Sequence, residues 1–451
     1  MAGGTWTSQN KVRPGAYINF KAVQRGSMVV GDRGVVAIGL PLSWGKEGEL
    51  IEVLSSDLLN GESRKTIGVT ASDTSESAKL IRGALSYAYK ALVYRLCEVD
   101  TTAVSAAKAS GTIGKVQLTA KYKGKDGDKI SGAVEASGTS WKIHTYFNGS
   151  EVDVQTFATI SDLVSNDYVD FSEASSGVIA SGTVTLTGGV DGKVTSNAAQ
   201  YAAMRAQLEL ANWQTYACTT IDSTEIENTI TFIKNLRDDE GRYVQAVVPN
   251  AVGANEEGII NNVCGAIVNN LVYGVDEFVA IVAGMTAGAS INESNTAKVI
   301  TGATSIIGQL TDSQIKTGLS EGKFMLSSTA SGNIKVEQDI NSLHDYPSDK
   351  NYSFSKNRVI RTLDEIGTTI KSTWEDTYMG KVNNNASGRS LFRSDIIQYM
   401  RELERITAIQ EFNPEDVVVE QGRDLDAVVA TIGVMPVDSM EKLYMTVNVS
   451  S

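Results

Sequence analysis

The chain has 451 residues, 42% of them hydrophobic and 21% charged, with 53 acidic against 40 basic side chains for a formal net charge of −13. That length suits two to four domains with cores of their own. The acidic balance argues against the basic footprint of a nucleic-acid binder, and 41 glycines against 6 prolines point to turns and close backbone approaches rather than disorder.

The first eleven residues are polar and glycine-containing, which predicts a flexible arm, and they lack the apolar core of a signal peptide. VRPGAYINFKAV then alternates, with Val12, Pro14, Ala16, Ile18, Phe20 and Ala22 on one face. Pro14 suits an edge strand or a strand start. The continuous apolar run of GVVAIGLPLSWG predicts a strand buried on both faces. SESAKLIRGALSYAYKALVYRL reads as one amphipathic helix, because Leu80, Ile81, Ala84, Leu85, Ala88 and Leu92 recur at helical spacing.

From Thr101 to about Gly192 the composition turns to Gly, Ser, Thr and Val in short alternating runs such as GKVQLTAKYKG and SGTVTLTGG. Such runs, separated by turn signals, predict an all-β module inserted into a larger domain. Beyond it, helix and strand alternate. NAAQYAAMRAQLELAN is a helix, TYACTTI a buried strand, STEIENTITFIKNLRDDEG a helix with Ser223 or Thr224 placed to cap it, and RYVQAVVPN a strand. This is the rhythm of an α/β sheet with crossover helices. KNRVIRTLDEIGTTIKSTWEDTY and GRSLFRSDIIQYMRELERITAI follow as long amphipathic helices. DAVVATIGVMPVDSMEKLYMTVNV is expected to be a hairpin, with one strand over 428–437, a turn over 438–441 and a terminal strand. In that last strand Leu443, Met445, Val447 and Val449 alternate with Lys442, Tyr444, Thr446 and Asn448, the period of a half-buried strand.

Signs of catalytic chemistry are sparse. Cys97, Cys218 and Cys264 each lie in an apolar run and read as buried reduced thiols. His144 and His344 stand alone without CxxC partners, so no metal residues are assigned. GGVDGK has the wrong spacing for a phosphate loop, and KDGDK reads as a hairpin turn. No GxGxxG, GxSxG or HExxH is found. Asp238–Asp239 and Glu256–Glu257 read as solvated charge at helix ends. No stretch approaches a membrane span. No catalytic or cofactor-binding residue and no cofactor are therefore assigned, and the protein is expected not to be an enzyme.

Several stretches, in order, resemble the tail sheath proteins of contractile phage tails, of the Gram-positive and phage-tail-like bacteriocin type. They are WTSQNKVRPGAYINF, GVVAIGLPLSWG, LTGGVDG and, most specifically, IKVEQDINSLHDYPSDKNYSFSKNRVIRTLDEI over residues 334–366, with LYMTVNV closing the match. The resemblance implies a multidomain mixed α/β (α+β) sheath core with an inserted all-β domain and extended N- and C-terminal β arms. The expected segments are an N-terminal arm (1–22), a first core part (23–100), the β insertion (101–192), an α/β core (193–345), a C-terminal sheath domain (346–439) and an arm strand (440–451).

The implied function is a structural protomer that polymerises as stacked six-fold rings around a tail tube and contracts to drive the tube through a bacterial envelope. The implied partners are the chain itself, the tube protein, and baseplate and tail terminator proteins, without nucleic acid or membrane insertion. The implied place is a virion tail or phage-tail-like particle made in the host bacterial cytoplasm. Val12, Ala16, Tyr17, Ile18, Phe20, Leu443, Tyr444, Met445, Val447 and Val449 are assigned to intersubunit arms, which complete sheets by β-augmentation. Arg358, Arg361, Asp364 and Glu365 are candidate contacts to the tube or a neighbour, or else an ordinary helix-surface charge group. The alternative function is an α/β nucleotide- or ligand-binding enzyme with a crevice in residues 195–300; an inert tube component is a third.

Overall fold

A computed structural model describes residues 33–449, Met28, and the backbone of residues 2–4 and 15–17. The contacts divide the chain into two compact units, one of residues 31–367 with 436–451 and one of residues 1–30 with 368–435. The architecture is mixed α/β and multidomain.

The larger unit is built on a seven-stranded sheet. Its order is Lys323–Phe324, Ile259–Asn262, Gln245–Pro249, Thr215–Ala217, Val35–Pro41, Lys90–Leu96 and Leu50–Leu54. All neighbours run parallel except the last pair. The strand Val35–Pro41 explains why both faces must be covered. Val36, Ile38 and Leu40 pack into one apolar cluster, while Val35 and Ala37 pack into another. Helices Glu76–Leu85 and Val275–Gly288 cover the first face; Asn197–Glu209 and Ser223–Asp238 cover the second. The helix Val275–Gly288 is buried nearly all round, as its VAIVAGM core requires. It meets the end of Glu76–Leu85 so closely that a Cβ on Gly284 would sit 2.1 Å from the carbonyl oxygen of Ala84.

Two expectations are corrected here. The helix predicted through Leu96 stops at Leu85, and Lys90–Leu96 is a central strand. Ala88 and Leu92 share helical spacing with the preceding turn by coincidence, whereas KALVYRL is a strand buried on both faces. The cap of Ser223–Asp238 is Asp222, whose carboxylate accepts from the Thr224 N–H at 3.0 Å.

The inserted module is a sandwich of a four-stranded sheet, in the order Ser150–Phe157, Ser140–Phe147, Ile130–Ser137 and Gly182–Thr185, and a three-stranded one, Val169–Glu173, Val116–Ala120 and Ser110–Ile113. KDGDK forms a 3₁₀ turn over Lys125–Lys129 rather than a hairpin turn. The module's core contains Val116, Leu118, Ile130, Ile143, Phe147 and Phe157, together with Trp44 from the loop after Val35–Pro41. Trp44 is fully buried, with its ring 5.1 Å from Tyr122 and 6.1 Å from Phe147. Arg95 donates to the carbonyls of Leu42, Gly45 and Lys123, tying the body to the module. The chain enters and leaves the module through Glu98–Val99 and Lys193–Val194, which pair side by side.

In the smaller unit, helix Ala386–Arg405 buries Phe392, Ile396, Tyr399, Met400 and Leu403 on one face. Arg393 on this helix donates to the carbonyls of Val417 and Pro414, at 2.7 and 2.6 Å. Val417–Gln421 and Val428–Ile432 form an antiparallel hairpin. The predicted hairpin of 428–437 with the terminal strand is thus corrected. Val428–Ile432 pairs backward in sequence, and residues 437–449 form no strand. No described helix is long and apolar enough to cross a membrane.

Candidate assembly site

Among the described residues the C-terminal segment is the most exposed apolar run. Leu443, Tyr444, Met445, Val447 and Val449 are all between 70% and 90% exposed, although their alternation is that of a buried strand face. Sequence reasoning gave these residues the right pattern, and within the described chain no strand pairs with them. At the other arm, Ala16 and Tyr17 lie in Gly15–Tyr17, whose backbone pairs in parallel with Ala2–Gly4. Val12, Ile18 and Phe20 fall outside the described residues.

The exposed segment has a fixed root. The Glu441 carboxylate accepts from Thr296 Oγ1 at 2.7 Å, Gln338 Nε2 at 2.6 Å and Ser439 Oγ at 3.1 Å, and it pairs with the Lys356 ammonium. The side chains of Lys356 and Glu441 are only 4% and 11% exposed. Burial opposes the charge on Glu441, but hydrogen bonds from Lys356, Gln338 and Thr296 outweigh it and hold the carboxyl below the usual carboxylate range. Burial likewise works against the Lys356 ammonium, and its bond to Glu441 lifts it above the usual lysine range. Lys356 and Lys442 both lie over the Tyr352 ring, at 5.4 and 6.0 Å from its centroid.

Behind this socket stands a second polar layer. Thr296 Oγ1 also accepts from the Asp339 N–H at 2.9 Å. The Asp339 carboxylate accepts from Asn295 N–H and Asn357 Nδ2, both at 2.9 Å, and from Arg361 Nη2 at 2.7 Å. Arg361 donates as well to the carbonyl of Glu293. Gln338, Asp339, Lys356, Asn357 and Arg361 all belong to the 334–366 stretch singled out from the sequence.

Of the four charged residues assigned to tube or neighbour contact, three are buried in the subunit. Arg361 is 1% exposed and bound to Asp339, and Asp364 holds Arg237 through two hydrogen bonds of 2.8 and 2.9 Å. Glu365 is also buried, and Arg358 is half-buried. As the subunit stands, Arg361, Asp364 and Glu365 form neither a helix-surface group nor an outward contact. They lie inside the larger unit, where Arg33, lowered to about 10 by burial and then by the neighbouring Arg361, joins them. Sequence reasoning missed Thr296, Gln338, Lys356 and Glu441; the only available signal was that Gln338 and Lys356 lie within the distinctive stretch.

The smaller unit carries a second candidate surface. Among the described residues its hairpin has two strands, with Val418 and Val429 about half exposed and Leu425 at the tip 85% exposed. Beside the tip is a crevice of about 610 Å³ lined by Trp374, Tyr378, Phe392, Arg389, Leu425 and Val428. In the larger unit a crevice of about 790 Å³ lies at the ends of Gln245–Pro249 and Ile259–Asn262. Its lining is mostly amides, hydroxyls and small apolar groups. Its Glu321 and Lys323 pair with each other at 2.5 Å, and His344 Nδ1 contacts the Ser342 carbonyl. No nucleophile–base pair converges there. Among the described residues no group of three His, Cys, Asp or Glu is placed to hold a metal. Cys218 and Cys264 are buried thiols raised by burial; Cys97 is half-buried.

Three family models match in succession: the phage tail sheath protein beta-sandwich domain over residues 104–191, the central domain over 196–342 and the C-terminal domain over 349–450. The chain belongs to the phage tail sheath protein family. It is 30% identical to the phage-like element PBSX protein XkdK of Bacillus subtilis, over the whole of both chains. The crystal structure of a sheath tail protein from Desulfitobacterium hafniense is 34% identical, with a TM-score of 0.80 over 96% of this chain and 99% of that one. The fold also matches the helical sheath of the anti-feeding prophage in its contracted state, at a TM-score of 0.60 and 11% identity over 97% and 99% of the two chains. The sheath family's beta-sandwich domain is the inserted module, and its C-terminal domain takes in the exposed segment 443–449.

Proposed function

We propose that this sheath protein is the protomer of a contractile tail, that it stacks as six-membered rings around a tail tube, and that its contraction drives the tube through a bacterial envelope. The observation that carries this reading is the C-terminal segment, rooted at Glu441 and apolar at alternate positions beyond it, without a strand partner in its own described chain. A second copy supplies that partner. The two-stranded hairpin Val417–Gln421 and Val428–Ile432 is the acceptor: two strands alone are marginal in water, and an added strand supplies ladder bonds and covers half-exposed valines. Ordering residues 442–449 costs about 1–2 kcal/mol each. Against this stand about 1.5–3 kcal/mol per buried Leu, Met or Val and about 0.5–1.5 kcal/mol per ladder bond. One arm comes out near balance, so a lattice of many arms assembles cooperatively. The tube, baseplate and terminator proteins complete the particle, in a virion tail or phage-tail-like particle made in the bacterial cytoplasm.

The test is electron microscopy of the full chain beside one truncated after Glu441. Tubes from the full chain alone support arm-linked assembly. Equal tubes from both remove the C-terminal strand from the mechanism.

A further inference from the structure

The root of the C-terminal segment is built far more firmly than a passive exit point requires. Met440 on one side is fully exposed and Lys442 on the other is exposed, so Glu441 is anchored alone in an otherwise solvated stretch. Both of its carboxylate oxygens are used, Oε1 by Thr296 and Ser439 and Oε2 by Gln338 and Lys356. A charge is buried at this depth only when it is paired and hydrogen-bonded. The socket is itself immobilised, because Thr296 is bonded to Asp339 and Asp339 to Arg361 and Asn357.

We infer that Glu441 is the positioning residue of assembly: seated in the socket of Thr296, Gln338 and Lys356, it fixes the point from which the C-terminal strand leaves the body. This rests on the reading that the strand docks on a second copy, and it adds two things. First, the place where Val449 docks lies within about 26–29 Å of Glu441, the greatest span of the eight extended residues 442–449. Second, when neighbouring bodies move, the pull on a docked strand is taken by the socket. The Glu→Gln change tests this without altering size, because an amide NH₂ facing Lys356 and Gln338 replaces an acceptor by a donor.

The experiment has two arms. In the soluble full-length chain, a nitroxide on Met440→Cys, in a Cys97→Ser background, reports the mobility of the root by electron paramagnetic resonance. The expected spectrum is restricted for the parent and becomes fast with Glu441→Gln or Lys356→Met. The exchanged pair Glu441→Lys with Lys356→Glu is expected to recover part of the restriction. In the second arm, the concentration needed for tube formation is expected to rise about tenfold for Glu441→Gln, with the thermal transition of the subunit little changed.

Equal root mobility in parent and Glu441→Gln overturns the proposal, and so does assembly at the parent's concentration when truncation after Glu441 abolishes it. If truncation itself leaves assembly unchanged, the docking reading fails while the mobility arm still decides whether the root is clamped.

Discussion

Arg361 and Asp339 bury a full ion pair at 2.7 Å, with side chains essentially without solvent. Removing one partner of such a pair leaves an uncompensated charge, so Arg361→Leu is expected to destabilise the subunit by about 3–5 kcal/mol, seen as a lowered urea midpoint. The clamp at Glu441 has a pH signature of a different kind. Its carboxyl is held below the ordinary range, so its contribution is complete above the unfolded value and disappears as pH falls through the lowered one. Lys356 is raised, so its share is complete below the ordinary lysine value and is lost only in strong alkali. The charged groups facing the pair are Asp438, 3.9 Å from Lys356, and Lys442 across Tyr352. Root mobility is therefore expected to be flat around neutral pH and to increase in acid, which the same nitroxide spectra read directly. At this scale the sequence was least informative. The i,i+4 spacing of Arg361 and Glu365 is visible in the chain, but the residues bonded to Arg361, Glu293 and Asp339, come from distant segments that only the fold brings together.

Elements were more legible where burial dictated the pattern. The run VVAIGL could only be a strand covered on both faces, and within the module expected over 101–192 the alternating runs fold as short strands. The misreading of KALVYRL came from a periodicity shared by chance with the preceding helix, and pairing with Val35–Pro41 decided it. The alternation of the terminal segment is legible as that of a strand, whereas in the subunit residues 437–449 form none. The close crossing at Gly284 left no readable trace beyond a glycine in an apolar helix. There Gly284→Ala is expected to cost about 1–3 kcal/mol by overpacking against the Ala84 carbonyl, whereas alanine would normally favour a helix. Urea unfolding separates the two signs. Trp44→Ala empties the heart of the module and is expected to cost about 3–5 kcal/mol. Fluorescence should then show the module unfolding ahead of the body.

At the level of the whole molecule, each protomer brings a net charge of −13 to a lattice of identical neighbours. Like charges oppose their approach, and at ~0.1 M salt that repulsion is already confined to about 10 Å. Raising salt from low to physiological strength is therefore expected to lower the concentration at which tubes form, measured by light scattering; an unchanged threshold would mean that apolar contacts dominate. The inserted sandwich has a consequence of another sort. The chain departs at Glu98–Val99 and returns at Lys193–Val194 on adjacent strands, which lie about 4.8 Å apart. Body and module also meet through Trp44, through the carbonyls held by Arg95, through Ser43 with Asp191 and Glu47 with Lys123, and through Arg64 over the Phe147 ring. The module is thus a cassette in outline: a replacement has to bring its own ends together at this splice point, cover Trp44 and supply partners for Ser43, Glu47, Arg64 and Arg95.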